Sequence, residues 1–299
     1  MEAVSIIAVC YNQAPYVTET LDSIKAQTYK HIQLIIADDG SKDNSKEVIK
    51  KWIAEHGTAV TFIDHPKNLG LTKNINSTLP YITGSYFQVF GCDDIMLPDK
   101  IEKQVALLQA NKDAGVVYSD MQLINKTGSH LSQTYFQKHA YKQPFSGDHY
   151  EALINRIILA APTVLIRKEI LDKVGKYNEQ LAYEDYDFFL RAAKYCTFIY
   201  QPYVTVNYRV LESSLSNFEV YPIKYFQNLF TVFYGNYDGR KQYRQQFNNR
   251  LFFCIKNLYS LKYKNATALF IKAFIKTKDT RILKYAIAGI PFIFSDRKA

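Results

Sequence analysis

Short apolar runs alternate with segments of helical periodicity along the first 110 residues. Four runs have the length and the β-branched composition of buried strands: 3–9, 32–37, 59–64 and 85–90. Between and after them, apolar residues recur at helical spacing in 16–27, 44–55, 71–79 and from Pro98 onward. This alternation predicts an α/β fold with a doubly wound, mostly parallel sheet. Shorter elements are predicted further along: strands at 115–119, 162–167 and 197–208, and a helix at 184–195.

Charge divides the chain into two parts. The 299 residues carry a net charge of +9, but residues 220–299 hold 15 Lys or Arg against 3 Asp, whereas residues 1–219 hold 22 basic and 25 acidic groups. The second part also contains 18 of the 43 Tyr and Phe. We therefore predict an α/β domain over 1–217 and a basic, aromatic-rich helical region over 218–299.

The cysteines and the apolar runs indicate a cytoplasmic protein. Four cysteines lie far apart without a CxxC pair, which excludes a disulfide framework and a cysteine-built zinc site. The opening MEAVSIIAVCYN has no basic segment, so no signal peptide is expected. The longest nearly apolar stretch, 285–294, is far shorter than the roughly 20 residues that span a bilayer, so no membrane-spanning segment is expected either.

Acidic residues stand where two of the predicted strands end. Asp38 and Asp39 follow the second strand, and Asp93 and Asp94 follow the fourth. In open α/β sheets, ligands bind outside the carboxyl ends of the strands. Adjacent carboxylates repel each other unless a cation lies beside them, and Mg²⁺ or Mn²⁺ with phosphate oxygens would be such a partner. A solvated Asp-Asp turn and a capping Asp are the structural alternatives.

Two later positions also allow two interpretations. Glu184 and Asp185 open a predicted helix, where acids favour the helix dipole, or one of them acts as a general base. Arg209 ends the last predicted strand, either as a surface residue or as a phosphate contact, for which its guanidinium is suited.

Taken in order, these pieces resemble one family. The run VSIIAVCYNQAPYVTETLDSIKAQTYKHIQLIIADDGSKDNS closely resembles the opening of family 2 glycosyltransferases. Later segments agree in the same order: NLGLTKNIN, FGCDDIMLPDKIEKQV, VGKYNEQLAYEDYDFFLRA and NYR. The resemblance covers about residues 3–210. It implies the nucleotide-sugar-binding GT-A fold and an inverting, metal-dependent transferase.

The resemblance also implies a donor site. Tyr11 resembles the aromatic residue that stacks on uracil, with Asn12 beside it, and Asp39 resembles the acid that accepts a hydrogen bond from the uracil ring nitrogen. Asp93 would approach the ribose or the first phosphate. The remaining donor-binding residues implied are Lys73 and Arg209.

The resemblance implies a metal ligand and a base as well. Asp94 resembles the ligand of Mn²⁺ or Mg²⁺, which would stabilise the charge that develops on the leaving diphosphate. Asp185 resembles the catalytic base, with Glu184 beside it. A carboxylate that takes the acceptor's proton opposite the diphosphate gives a single displacement, and hence inversion.

Three positions depart from the family pattern. Gly91 stands where the family often has a further Asp, and Lys73 stands where it often has Arg. Leu211 lies where a His is common, and no histidine follows His149. Metal binding would then depend on Asp94, the diphosphate and water.

The resemblance thus implies an enzyme that moves a sugar from a UDP-linked donor to a glycan, glycoprotein or lipid-linked acceptor in surface polysaccharide or glycan assembly, in a bacterium. One alternative is a nucleotidyltransferase, but the loop CYNQAPY lacks the Gly-rich triphosphate loop that such an enzyme needs. Another is a non-catalytic domain that binds nucleotide sugar or partner proteins, which the intact acids disfavour.

The basic aromatic region has three interpretations that do not exclude one another. It forms a helical packing domain, a patch for peripheral contact with the inner face of the cell membrane, or a homo-oligomer interface. Nucleic acid is not an expected partner, because no nucleic-acid-binding motif accompanies the charge.

Overall fold

The computed structural model describes residues 2–56, 59–141, 143–155, 159–181, 184–211 and 222–283. The chain divides into two compact units. The first comprises Met1–His149, Ile158–Gln180 and Arg191–Glu212, and the second comprises Tyr150–Ile157, Leu181–Leu190 and Ser213–Ala299. The domain boundary expected at residue 217 lies outside the described residues.

Nine strands and eleven helices are present in the described ranges. The strands are β1 Val4–Cys10, β2 Ile32–Asp38, β3 Val60–Asp64, β4 Tyr86–Gly91, β5 Ile95–Met96, β6 Ala114–Ile124, β7 His130–Thr134, β8 Leu165–Arg167 and β9 Thr197–Arg209. The helices are α1 Val17–Lys25, α2 Ser45–His56, α3 Leu71–Thr78, α4 Lys100–Ala110, α5 Tyr135–Lys138, α6 Tyr150–Ile154, α7 Lys168–Val174, α8 Glu184–Ala192, α9 Pro222–Asn236, α10 Arg244–Ser260 and α11 Ala266–Thr277.

All nine strands join one sheet, in the order β3-β2-β1-β4-β8-β6-β9-β5, with β7 on β6. The strands β3, β2, β1 and β4 are parallel neighbours, and β6 and β9 are a second parallel pair. β8 is antiparallel to both β4 and β6. Parallel pairing therefore dominates by length, as the alternating pattern predicts.

The register brings three strand ends to one edge. Cys10 at the end of β1 lies opposite Asp38 of β2, and Val9 lies opposite Gly91 of β4. Residues 4–8 of β1 are fully buried, which explains why the strand is mostly apolar rather than alternating. The loops that follow β1, β2 and β4 consequently emerge side by side.

The structure corrects several predicted boundaries. The strand expected at 115–119 extends to Ile124, and the helix expected at 184–195 ends at Ala192. The strand expected at 162–167 begins as a 3₁₀ turn over Ala161–Thr163, because Pro162 has no N–H to join a ladder. The elements β5, β7, α5 and α6 are too short for a periodic pattern and were not predicted.

A buried lysine links three elements of the first unit. Lys100 opens α4, and its Nζ donates hydrogen bonds to Oε1 of Gln88 on β4 and Oε1 of Gln104 on α4. Gln104 Nε2 in turn donates to the carbonyl of Thr163, at 2.8 Å. Burial lowers the pKa of Lys100 well below its usual range. The core of this unit therefore contains a titratable group.

The helices α9, α10 and α11 form the larger part of the described residues of the second unit, as the sequence predicts for its C-terminal region. Their inner faces are aromatic and aliphatic, and the rings of Phe233 and Phe247 meet edge to face with centroids 6.4 Å apart. Among the residues that the structure describes, no helix is long and apolar enough to cross a membrane.

Candidate functional site

The loop after β1 presents an exposed aromatic ring. The side chain of Tyr11 is 39% exposed. Asn12 follows in a left-handed conformation, with φ 54°. Its N–H donates to Ser41 Oγ at 2.9 Å, and its Oδ1 accepts from Lys42 N at 2.8 Å. Asn12 therefore fixes the β1 loop to the β2 loop.

The loop after β2 is a tight turn. Asp38 accepts hydrogen bonds from the backbone N–H and the hydroxyl of Ser41, at 2.8 and 2.5 Å. Gly40 has φ +70°, and a Cβ there would lie 2.3 Å from the backbone carbon of Lys67. Only glycine fits, because the backbone turns left-handed where another loop crosses it.

Asp39 connects the second loop to the segment before α3. This buried carboxylate accepts from Leu69 N through Oδ1 at 2.7 Å and from Gly70 N through Oδ2 at 3.0 Å. Each carboxylate oxygen has a second lone pair that can accept a ligand N–H. Its contact with uracil stays a prediction, as does that of Lys73, which is exposed on α3.

The acid pair follows β4, with Asp94 buried and Asp93 half-buried. Asp94 Oδ1 accepts from Arg209 N at 2.9 Å, and the Asp94 carbonyl accepts from Thr20 Oγ1 at 2.7 Å. Asp93 Oδ2 accepts from Gln13 Nε2 at 3.3 Å. A Cβ on Gly91 would lie 2.7 Å from Asp93 Oδ1, so Asp93 occupies the space that a side chain at position 91 would need.

Burial controls the acidity of this pair. Desolvation raises the pKa of Asp93, and it raises the pKa of Asp94 well above its usual range, with the charge of Asp93 adding to the second effect. The charge of Arg209 opposes both shifts without cancelling them. A cation beside these two carboxylates would stabilise their ionised forms.

The donor set fits a hard divalent cation that shares its ligands with a substrate. Within the described ranges, no three His, Cys, Asp or Glu side chains are grouped to hold a metal. One or two carboxylates are what Mg²⁺ and Mn²⁺ commonly take from a protein when phosphate oxygens and water complete the coordination. Asp94 and Asp93 are the carboxylates available in this loop.

Arg209 is built into the protein more tightly than the sequence suggested. Its side chain is 2% exposed and reaches Glu19 Oε2 at 2.6 Å and the Asp93 carbonyl, through Nε, at 2.9 Å. Nη1 donates to the carbonyls of Asn125 and Lys126 at 3.3 and 3.2 Å. The guanidinium therefore holds the acid loop in position, and its contact with a donor phosphate stays a prediction.

Two residues that hold the loops of the site in position were not identified from the sequence. Gln13 donates to Asp93 through its amide and to Ser45 Oγ through its backbone N–H, the latter at 2.9 Å. Asp43 accepts from Ala14 N at 3.1 Å. Both are ordinary polar residues in loops, and only their contacts with the β1 and β4 loops distinguish them.

Glu184 and Asp185 belong to the second unit, at the start of α8. Burial, followed by the charge of Asp185, raises the pKa of Glu184 to about 8. Burial also raises the pKa of Asp185, whose Oδ1 accepts from Tyr186 N at 2.8 Å. The other seven predicted site residues lie in the first unit, six of them in or beside the three loops at the sheet edge.

Comparison of the sequence with known proteins identifies the family of this chain. Residues 5–175 match the sequence profile of Glycosyl transferase family 2. A Rickettsia typhi protein described as an uncharacterized glycosyltransferase is 28% identical over 300 residues, covering 96% of this chain and 91% of that protein.

Two solved structures share the fold. S. aureus TarS 1-349, in complex with UDP, has a TM-score of 0.70 at 18% identity, covering 96% of this chain and 87% of that one. The mannosyltransferase PcManGT from Pyrobaculum calidifontis, in complex with GDP-Man and Mn²⁺, has a TM-score of 0.61 at 18% identity, covering 98% and 85%. The expected GT-A type fold is confirmed. Because the family profile spans more than half of the sequence, this chain belongs to glycosyl transferase family 2.

Proposed function

We propose that this glycosyltransferase takes its sugar from a UDP-linked donor and transfers it, with inversion, to a hydroxyl of a glycan, glycoprotein or lipid-linked acceptor. The observation that carries the proposal is the meeting of three loops at one sheet edge, where the exposed ring of Tyr11 accompanies the half-buried Asp93 and the buried Asp94. Structures of the same fold hold UDP, UDP-GlcNAc or GDP-Man, which supports a nucleotide-sugar donor.

Different residues are proposed to bind the base and the phosphates of the donor. Tyr11 would stack on the uracil, and Asp39 would accept its ring N–H through a lone pair that Leu69 and Gly70 leave available. Asn12 keeps the Tyr11 loop against the β2 loop. Lys73, exposed on α3, and Arg209 are the cations proposed for the phosphates.

The acid pair would hold Mn²⁺ or Mg²⁺ together with the donor diphosphate. When bound, the ion neutralises the charge that develops on the leaving diphosphate. Asp94 is the proposed ligand, and Asp93 lies next to it to contact the ribose or the first phosphate. Arg209 and Gln13 keep the two carboxylates in position.

Asp185 is the proposed general base. The acceptor oxygen forms a bond to the anomeric carbon while the bond from that carbon to the diphosphate breaks. The acceptor proton goes to Asp185, and the bonding electron pair leaves with the diphosphate. Burial makes Asp185 more basic than a solvated aspartate, which suits proton abstraction. Glu184, with a pKa of about 8, can remain protonated beside it.

Biological setting and domain roles form part of the same proposal. Residues 1–217 would constitute the catalytic domain, and 218–299 a basic helical region. The enzyme would work in the cytoplasm, at the inner face of the membrane, in bacterial surface polysaccharide or glycan assembly. The charge of the C-terminal region and the lipid-linked class of acceptor support this location.

Ligand-dependent stability tests the donor assignment. Each of UDP, UDP-sugars, GDP and GDP-mannose is added with and without Mn²⁺. A ligand at a hundred times its Kd should stabilise the fold by about 2.7 kcal/mol. We expect a Mn²⁺-dependent shift with UDP and one UDP-sugar. A shift with guanosine nucleotides alone would refute the role given to Asp39.

The substitution Asp185→Asn tests the base. We expect transfer to collapse while the donor-induced shift persists, because the amide cannot take a proton. Asp172→Asn, at an exposed carboxylate paired with Lys168, is the matched control and should retain activity. Unchanged transfer by Asp185→Asn would exclude the assignment, and a wild-type chain that binds donor without transferring sugar would favour the non-catalytic alternative.

A further inference from the structure

The helices α9–α11 and their connections carry a strong positive charge. Residues 222–283 contain 12 Lys or Arg and only two acids, Asp238 and Asp279. Both acids are already engaged by arginines, in the ion pairs Arg240–Asp238 at 2.7 Å and Arg281–Asp279 at 2.6 Å. No acid lies in α10 or α11 themselves. The second unit therefore has an excess of ten positive charges over this range.

The helix α11 is apolar on both its inner and its outer side. Its inner side is formed by the buried residues Ala266, Phe270, Ala273 and Thr277, spaced three or four apart. The opposite side carries Ile271 and Ile275, one turn apart, which are 49% and 60% exposed.

Two exposed lysines flank these isoleucines. Lys272 follows Ile271 on the helix, and Lys278 caps its C-terminus in a left-handed conformation. We call Ile271, Lys272, Ile275 and Lys278 the α11 face. Branched aliphatic side chains beside lysines are the combination that suits the boundary between lipid headgroups and acyl chains, because the ammonium groups reach up to the headgroups.

We propose that the α11 face docks the protein on the surface of an anionic lipid bilayer. The isoleucines would enter the headgroup boundary, while the excess of positive charge is attracted to anionic headgroups. Charge also argues against a second copy of the chain as the occupant, since a symmetric contact would place the same positive faces against each other.

This docking assigns a defined face to the membrane location in the proposed function, and it does not depend on the transfer reaction. A lipid-linked acceptor would make the attachment useful, because the enzyme would then meet its acceptor at the same surface. Vesicle binding is the readout, so a failure of docking is distinguishable from a failure of the transfer assignment.

Co-sedimentation of the full chain with vesicles tests the proposal. Vesicles of phosphatidylcholine alone are compared with vesicles containing about 30% phosphatidylglycerol, at low and high salt. We expect binding to the anionic vesicles, weakened by salt. The double substitution Ile271→Ser with Ile275→Ser should reduce binding about tenfold or more, because it removes the apolar contact. Lys272→Glu should also reduce it.

Matched controls lie in the first unit. Leu131→Ser changes another exposed aliphatic residue, and Lys51→Glu changes another exposed lysine. Both should bind anionic vesicles like the wild type. The thermal midpoint of each α11 variant is measured as well and should stay unchanged, since the substituted side chains are exposed.

Two outcomes would overturn the proposal. The first is equal binding of the wild type and the double variant to anionic vesicles. The second is equal binding of the wild type to both kinds of vesicle. In the first case, the double variant is also examined for a loss of self-association by analytical ultracentrifugation, or for a loss of thermal stability. That result would assign the face to a second copy or to the chain's own segment beyond residue 283.

Discussion

Replacing Arg209 by methionine distinguishes the structural role of its side chain from the phosphate contact expected from the sequence. Methionine keeps most of the aliphatic length of the arginine side chain but removes every hydrogen-bond donor of its guanidinium. The substitution leaves three backbone carbonyls, of Asp93, Asn125 and Lys126, without the guanidinium that now contacts them. We expect a loss of stability even in the absence of any ligand.

The magnitude follows from these contacts. A hydrogen bond from a charged donor contributes about 1.5–3 kcal/mol, and the two bonds from Nη1, at 3.2–3.3 Å, belong at the weak end. The pair with Glu19 adds little, because that carboxylate is 53% exposed. Methionine avoids the desolvation cost of the buried charge, which offsets part of the loss. The net destabilisation should be about 3 kcal/mol.

Urea unfolding followed by tryptophan fluorescence measures this loss. Trp52 is the only tryptophan, and it is buried in α2, so it reports on the first unit. Lys168→Met, at an exposed lysine paired with Asp172, is the control and should change the free energy of unfolding by less than about 0.5 kcal/mol. A loss below about 1 kcal/mol for Arg209→Met, together with weaker UDP binding, would refute the structural argument and favour the phosphate contact.

Three further predictions concern stability, and the first two are testable in the same urea assay. Gly40→Ala should destabilise the protein by more than Gly70→Ala does. Both glycines have positive φ, which costs an alanine about 1–3 kcal/mol. A Cβ at Gly40 would also lie 2.3 Å from the Lys67 backbone, whereas none of the described atoms would lie within 4 Å of a Cβ at Gly70. Equal losses would show that the clash relaxes freely. Lys100→Met should abolish the rise in stability that Lys100 contributes as the pH increases towards 10.5, the ordinary pKa of lysine, because the unfolded lysine holds its proton more tightly than the buried one. Identical pH profiles of the variant and the wild type would contradict this. Glu184→Gln should weaken a decline in stability from about pH 4.5 to 8, because the folded carboxyl of Glu184 keeps its proton to a pKa of about 8, and the raised pKa of Asp185 leaves part of the decline in place. Circular dichroism of the second unit's helices would follow that decline, and its absence in wild type would argue against a buried, protonated Glu184.

The sheet edge that forms the candidate site was largely predictable from local patterns. The strands β1, β2 and β4 are apolar runs of the right length, and their polar loops begin where the apolar residues stop. Parallel neighbours end at a common edge, so the proximity of the β1, β2 and β4 loops follows from the α/β pattern itself. Roles for individual residues came from the resemblance to the family, and they remain to be tested.

Local sequence could not reveal which distant side chains hold those loops in place. Arg209 meets Asp94 and Asp93 across 115 and 116 positions, and Gln13 meets Asp93 across 80. The short strand β8 enters between β4 and β6 although its own sequence carries almost no periodic signal.

The sequence by itself determined the α/β class, the acids at the strand ends and the basic helical region, because apolar spacing and charge are properties of neighbouring residues. Tertiary structure alone decided that Arg209 is buried against the acid loop, that Asp39 holds the segment before α3, and that two isoleucines of α11 face outward. Those outcomes depend on which buried polar groups must find a partner and which surfaces remain uncovered, and packing of the whole chain fixes both.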